Sequence, residues 1–120
     1  HELDAVNRVA DRYTHELEGV VTGPRVRPGF LSSWAQYSIL LEDDRSRDGL
    51  RAYLKSREIP ANIYYPRPMS SQTAFKGINC VRMDAPVAEN LCRRVLALPL
   101  HPYMSEEEQS KVIREIKEYF

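Results

Sequence analysis

Net charge is the first thing this chain lacks: seventeen lysines and arginines balance seventeen aspartates and glutamates. Binding to a phosphate backbone or to an anionic membrane surface needs a basic excess. The small arginine spots at Arg25/Arg27 and Arg93/Arg94 do not supply one, so no nucleic-acid partner is expected. No apolar run approaches the ~20 residues that cross a bilayer, and no signal-peptide pattern opens the chain. Cysteine is sparse too. Cys80 and Cys92 do not form a short metal-type pair and the three histidines are scattered, which argues against structural zinc. A Cys80–Cys92 disulfide is compatible with the sequence, but Cys92 sits in a helical pattern among apolar neighbours. Reduced thiols and a cytoplasmic location are the preferred expectation. A glycine-rich phosphate loop, a nucleophile elbow and a paired-histidine metal helix are all missing.

What is present is ordinary globular material. With 42% hydrophobic and 28% charged residues over 120 positions, residues 1–120 make one domain with one core. Leu3, Val6, Val9, Ala10, Tyr13 and Leu17 recur at helical steps up to Gly19. Val20 and Val21 can begin a short strand, and Ser33 to Leu41 reads as a central strand containing Trp34, itself core or interface. Ser46 can cap a helix with a Leu50, Tyr53 and Leu54 stripe, although Gly49 weakens it by up to about 1 kcal/mol. Ala61 to Tyr64 is a second strand, and Gln72 to Phe75 can make one helical turn. Lys76 to Asp84 has no period and reads as exposed. Pro86 opens a helix with Ala88, Leu91, Cys92 and Val95 along one face, and Val95 to Leu98 is a buried strand. Ser105 with Glu108 forms a capping box for a last helix whose apolar face is Val112, Ile113, Ile116 and Tyr119/Phe120. The class is α+β, with a small, mainly antiparallel sheet of about three to four strands covered by helices. The chain begins inside a helical pattern without an initiator methionine, which reads as a piece of something longer.

Two stretches can carry function. In Tyr64-Tyr65-Pro66-Arg67-Pro68-Met69-Ser70-Ser71-Gln72 the prolines fix their own backbone angles and push the preceding residues towards extended geometry. A stiff loop at a strand end can hold polar groups against a ligand; equally, it can be a connection whose tyrosines pack on the core. In Leu98-Pro99-Leu100-His101-Pro102-Tyr103 a proline-locked turn aims His101, either into a site or onto a backbone group as a structural histidine.

Together with Trp34-Ala35-Gln36-Tyr37-Ser38-Ile39, Arg47-Asp48-Gly49-Leu50 and Gln72-Thr73-Ala74-Phe75, these two stretches resemble, in order and spacing, the C-terminal small domain of the DegT/DnrJ/StrS family. Its members are pyridoxal-phosphate (PLP) sugar aminotransferases of the aspartate aminotransferase fold (fold type I). The resemblance implies transfer of an amino group, usually from glutamate, to a keto group of a nucleotide-linked sugar, in a homodimer with active sites between subunits. It implies a substrate-facing role for Tyr65, Arg67, Ser70 and Gln72, with Tyr64, His101 and Tyr103 structural or close to substrate. Ser70 departs from the histidine many members carry there; it can hydrogen-bond a sugar hydroxyl but cannot carry charge near neutral pH. Ala35 replaces a polar residue often found after the tryptophan. The family's large domain, with its cofactor lysine, precedes the matched region. Lys55, Lys111 and Lys117 lie on helical positions that read as solvated, and Lys76 lies in a loop. The 120 residues alone are therefore expected neither to bind PLP nor to transaminate. The alternative is a free-standing, non-catalytic α+β module that binds a sugar or a protein through the same loop. A nucleic-acid-binding domain is a third reading, opposed by the neutral charge.

Overall fold

A computed structural model describes residues 1–75, 77–79 and 83–120. Its elements are α1 (Glu2–Glu16), β1 (Tyr37–Leu40), α2 (Asp44–Ser56), two single 3₁₀ turns (Met69–Ser71 and Thr73–Phe75), α3 (Pro86–Arg94), β2 (Val95–Leu98) and α4 (Glu106–Tyr119). The architecture is α+β, as the sequence pattern indicates. The expected sheet is shorter than its strand signals. β1 and β2 pair antiparallel, with Tyr37 opposite Leu98 and Leu40 opposite Val95. Outside this pair, Thr22 makes one bridge to Leu40 and Asn62 one bridge to Ala97. Four chain segments thus lie side by side, but only the inner two run on as strands.

The physical reasons are local. The strand expected from Ser33 begins only at Tyr37 because Trp34 has φ 50°, a left-handed conformation that extended pairing excludes. Its indole N–H donates to Asn7 Oδ1 at 2.9 Å, tying it to α1 instead. The strand expected at Ala61–Tyr64 reduces to the two bonds of Asn62 with Ala97, 3.1 and 2.7 Å, before the chain bends away at Tyr64 and runs into Pro66 and Pro68. On the opposite edge the pairing residue is Thr22 rather than Val20 or Val21; its carbonyl accepts from Leu40 N.

Val6, Val9, Ala10, Tyr13 and Leu17 from α1 and its end join Tyr37, Ile39, Leu50, Leu54, Leu96, Leu98, Val112, Ile113 and Ile116 in the buried interior. The cap of α2 differs from the expected Ser46. Asp43 is the N-cap, and its carboxylate accepts from Ser46 N at 2.7 Å. An anion there also meets the positive end of the helix dipole, which a serine hydroxyl does not match. Gly49 has a packing reason: a Cβ there would stand 2.5 Å from the Tyr119 hydroxyl, where α4 crosses α2. The capping box of α4 is present, Ser105 accepting from Glu108 N and Glu108 accepting from Ser105 N.

The apolar face of α3 is at most half-buried. No residue of that helix is buried, and Val87 and Leu91 are exposed. Two arginines hold it instead. Arg47 donates from Nη1 to Cys92 O at 3.0 Å, and Arg94 donates from Nε to Leu41 O at 2.7 Å. The exposed expectation for residues 76–84 holds for Gly77–Asn79 and Met83–Asp84. Lys76 and Cys80, and with Cys80 the disulfide question, lie outside the described residues. Among the described residues no helix is long and apolar enough to cross a membrane, and no group of three or more His, Cys, Asp or Glu could hold a metal.

Among the described residues Glu115 is the one buried carboxylate. It accepts from the Tyr53 hydroxyl at 3.0 Å and faces Arg57 Nε at 3.4 Å. The Tyr53 bond holds its carboxyl below the usual range, burial opposes, and the Arg57 charge helps. A carboxyl depressed in the folded state stabilises above its unfolded pKa, and that contribution is lost as pH falls through the folded value. The melting-temperature gap between the native chain and Glu115→Gln should therefore close as pH drops from about 6 to about 3. A gap independent of pH would remove the carboxylate from the explanation.

Candidate functional site

The chain leaves the sheet edge at Asn62, bends at Tyr64 and reaches Pro66 and Pro68, whose extended backbone (Pro68 φ −64°, ψ 156°) leads into the Met69–Ser71 turn. The Tyr64–Tyr65 peptide is cis, and the two rings lie edge to face, 5.8 Å between centroids. Tyr65, Arg67 and Ser70 are exposed. Gln72 is half-buried, and its N–H donates to Met69 O while its carbonyl accepts from Phe75 N. The loop's tyrosines do not pack into the core; Tyr65 is 62% exposed.

Opposite the base of this loop lies the second stretch. Its backbone is anchored by α1: the Tyr13 hydroxyl donates to Pro99 O at 2.9 Å and lies 3.7 Å from Met104 Sδ. Burial pushes the Tyr13 phenol up, with nearby Tyr37 adding to the shift, so it stays a neutral donor. Between the two stretches is a cleft of about 200 Å³ lined by Ala35, Gln36, Pro60, Asn62, Tyr64 and the Ala97–Leu100 segment. Of the seven residues singled out in the sequence, only Tyr64 lines it. Tyr65, Arg67, Ser70 and Gln72 lie beyond its rim along the loop, His101 is exposed, and Tyr103 is an exposed phenol hydrogen-bonded to Glu2. The Glu2 carboxylate holds the Tyr103 phenol above its ordinary value.

Sequence reasoning missed Gln36 and Asn62. The only sequence signal was partial: each amide adjoins an apolar residue of an expected strand, Tyr37 or Ala61, and strand alternation sends it to the opposite face without saying what it meets there. A larger cavity, about 770 Å³, lies elsewhere, between the end of α1, residues 19–25 and Arg94. It contains none of the seven, so the smaller cleft is the one that the two motif stretches build.

The model of the DegT/DnrJ/EryC1/StrS aminotransferase family matches residues 3–117. The chain belongs to this family. It is 32% identical over 115 residues to a pleiotropic regulatory protein of Geobacillus stearothermophilus, covering 92% of this chain and 30% of that protein. It is 31% identical over 115 residues to a UDP-N-acetyl-3-dehydro-alpha-D-glucosamine 3-aminotransferase of Acidithiobacillus ferrooxidans, covering 95% and 30%. Among solved structures, a DegT/DnrJ/EryC1/StrS aminotransferase from Brucella abortus superposes with TM-score 0.88 at 44% identity, covering 98% of this chain and 31% of that one. S. venezuelae DesV, crystallised with a ketimine intermediate, superposes with TM-score 0.88 at 27% identity, covering 98% and 32%. The chain thus spans a little under a third of the length of these DegT/DnrJ/EryC1/StrS proteins.

The family depends on PLP, which needs a lysine of lowered pKa in a sheltered pocket. The described residues of this DegT-family chain do not fit that requirement. Lys55 is exposed, Lys117 is bound to Glu16 at 2.7 Å, and Lys111 lies half-buried on α4; none lines the cleft. No cofactor step is assigned to this chain's residues.

Proposed function

We propose that this chain is the substrate-facing small domain of a PLP-dependent aminotransferase that passes an amino group, from glutamate, to a keto group of a nucleotide-linked sugar. The observation that carries the reading is the Tyr65–Gln72 loop. It stands in solvent with its polar groups uncommitted to the core, beside a cleft shared with the Leu98–Tyr103 turn, in a chain matched by the family over nearly all its length. Its apolar residues agree. Tyr65, Met69, Ile78, Met83 and Val87 are all more than half exposed, apolar surface that a docked domain would cover. The reading has these residues resting on the cofactor-bearing part of the enzyme, itself a cytoplasmic homodimer. The Acidithiobacillus relative's name specifies a UDP-linked keto sugar, which supports the same substrate class here.

Two measurements test this. Mixed with PLP, the chain is expected to give no yellow adduct; one that disappears on Lys55→Ala or Lys111→Ala would place cofactor chemistry within these residues. In calorimetric titration the chain should hold a nucleotide sugar no more tightly than on the order of 1 mM, since it offers one wall of a site. Micromolar affinity would instead favour the free-standing binding module.

A further inference from the structure

We propose that the cleft beside Tyr64 reads the hydroxyl pattern of the sugar ring, with the side-chain amides of Gln36 and Asn62 as its specificity-determining groups. The inference rests on the nucleotide-sugar reading of the same loop and adds residues outside both motif stretches.

No lysine, arginine, aspartate, glutamate or histidine lines the cleft. A diphosphate is recognised by guanidinium or ammonium groups, or by the free N–H groups of a helix start, and the cleft offers neither. It offers two primary amides, one phenol and the apolar surface of Leu98, Pro99 and Leu100. An amide presents a donor and an acceptor on neighbouring atoms, the same pair that a sugar hydroxyl presents in return. Among the described residues neither the Gln36 nor the Asn62 side chain makes a hydrogen bond, and both residues are exposed, so their capacity faces solvent and is open to a ligand. The Tyr64 ring, 40% exposed, and the proline-leucine floor suit the C–H face of a pyranose. This combination of apolar walls with a few placed polar groups is what fixes a small ligand's orientation.

The backbone that carries the amides is anchored. Asn62 is bonded through both backbone groups to Ala97. Gln36 immediately precedes β1, whose Tyr37 is buried and hydrogen-bonded to Thr14 at 2.9 Å. The floor is fixed by the Tyr13–Pro99 bond. Side chains mounted on strand edges discriminate better than those on free loops. The charged part of the ligand is left for Arg67, exposed in the same loop beyond the cleft.

Amide-detected NMR of the chain at millimolar ligand decides the matter, with UDP-glucose, UDP-galactose, UDP and methyl glucoside as probes. The sugar-bearing probes should shift the side-chain NH₂ signals of Gln36 and Asn62, and UDP alone should leave them in place. The two UDP-sugars, epimers at one hydroxyl, should differ in affinity. Gln36→Leu and Asn62→Leu should each weaken sugar binding by about fivefold and draw the two affinities together, with UDP binding unchanged and the rest of the spectrum preserved. Amide signals that follow UDP alone, or variants that leave the epimer ratio intact, would overturn the proposal. If UDP-sugars bind with both amides silent, the cleft assignment falls and the nucleotide-sugar reading stands. If methyl glucoside shifts the amides while no nucleotide sugar binds, the cleft stands and the nucleotide reading falls. Binding by no probe overturns the cleft proposal and leaves the small-domain reading, which expects at most millimolar affinity, in place.

Discussion

Leu50→Ala is expected to lower stability by about 3–5 kcal/mol, the upper part of the range for a large buried aliphatic cut back to a methyl. Leu50 has no exposed surface and sits in one buried cluster with Ile39, Leu54, Leu96 and Ile116, residues drawn from both strands, α2 and α4. The site cannot collapse easily, because elements on several sides are fixed by their own contacts. Against a total of about 5–15 kcal/mol for an ordinary domain, the loss takes a large share of the folded-state margin. The measurable result is a fall in melting temperature of about 10–20 °C, or an equivalent shift of the urea midpoint with its slope unchanged. A loss under about 1 kcal/mol would mean that α2 does not pack as described.

Arg47→Ala is expected to cost about 2 kcal/mol, the range for a hydrogen bond made by a charged donor from a buried position. Its larger effect is local. The last carbonyls of α3 have named partners: Leu91 O takes Val95 N, Cys92 O takes Arg47, and Arg94 O takes Leu41 N. With no buried side chain of its own, α3 depends on these bonds for its place against α2. In the variant its amides should exchange with solvent much faster than those of α1 or α4. Arg47→Met keeps the apolar stem and loses the bond. If its α3 amides stay protected, packing rather than the guanidinium holds the helix.

The roles of Arg47 and Leu50 show how far the residues alone could be read. The apolar stripe that puts Leu50 inside is a periodic signal, and so are those of α1 and α4, because a helix repeats its buried face along many residues. The capping box is equally local. Arg47 carries no such mark: its partner is Cys92 O, forty-five residues away, and pairing across that distance has no pattern along the chain. The same applies to α3, whose spacing gives one apolar face although no core covers it in these residues. The strands failed at their ends for backbone reasons. Nothing in the composition of Ser33–Leu41 announces that Trp34 turns left-handed to reach Asn7. At the site, the loop and the turn were visible as proline-braced stretches, but their meeting across the sheet edge was not. Gln36 and Asn62 were missed because an amide beside a strand carries meaning only once its neighbour across the gap is known.

The bond from Tyr13 to Pro99 has a further consequence. One wall of the cleft is set by a helix at the opposite end of the chain, reinforced where Gln109 donates to Val9 O and where Tyr103 meets Glu2. The first and last helices act as a vice whose jaws hold the turn at its working width. Trimming the leading helix would slacken that grip and let the wall drift, although no deleted atom had lined the cavity itself.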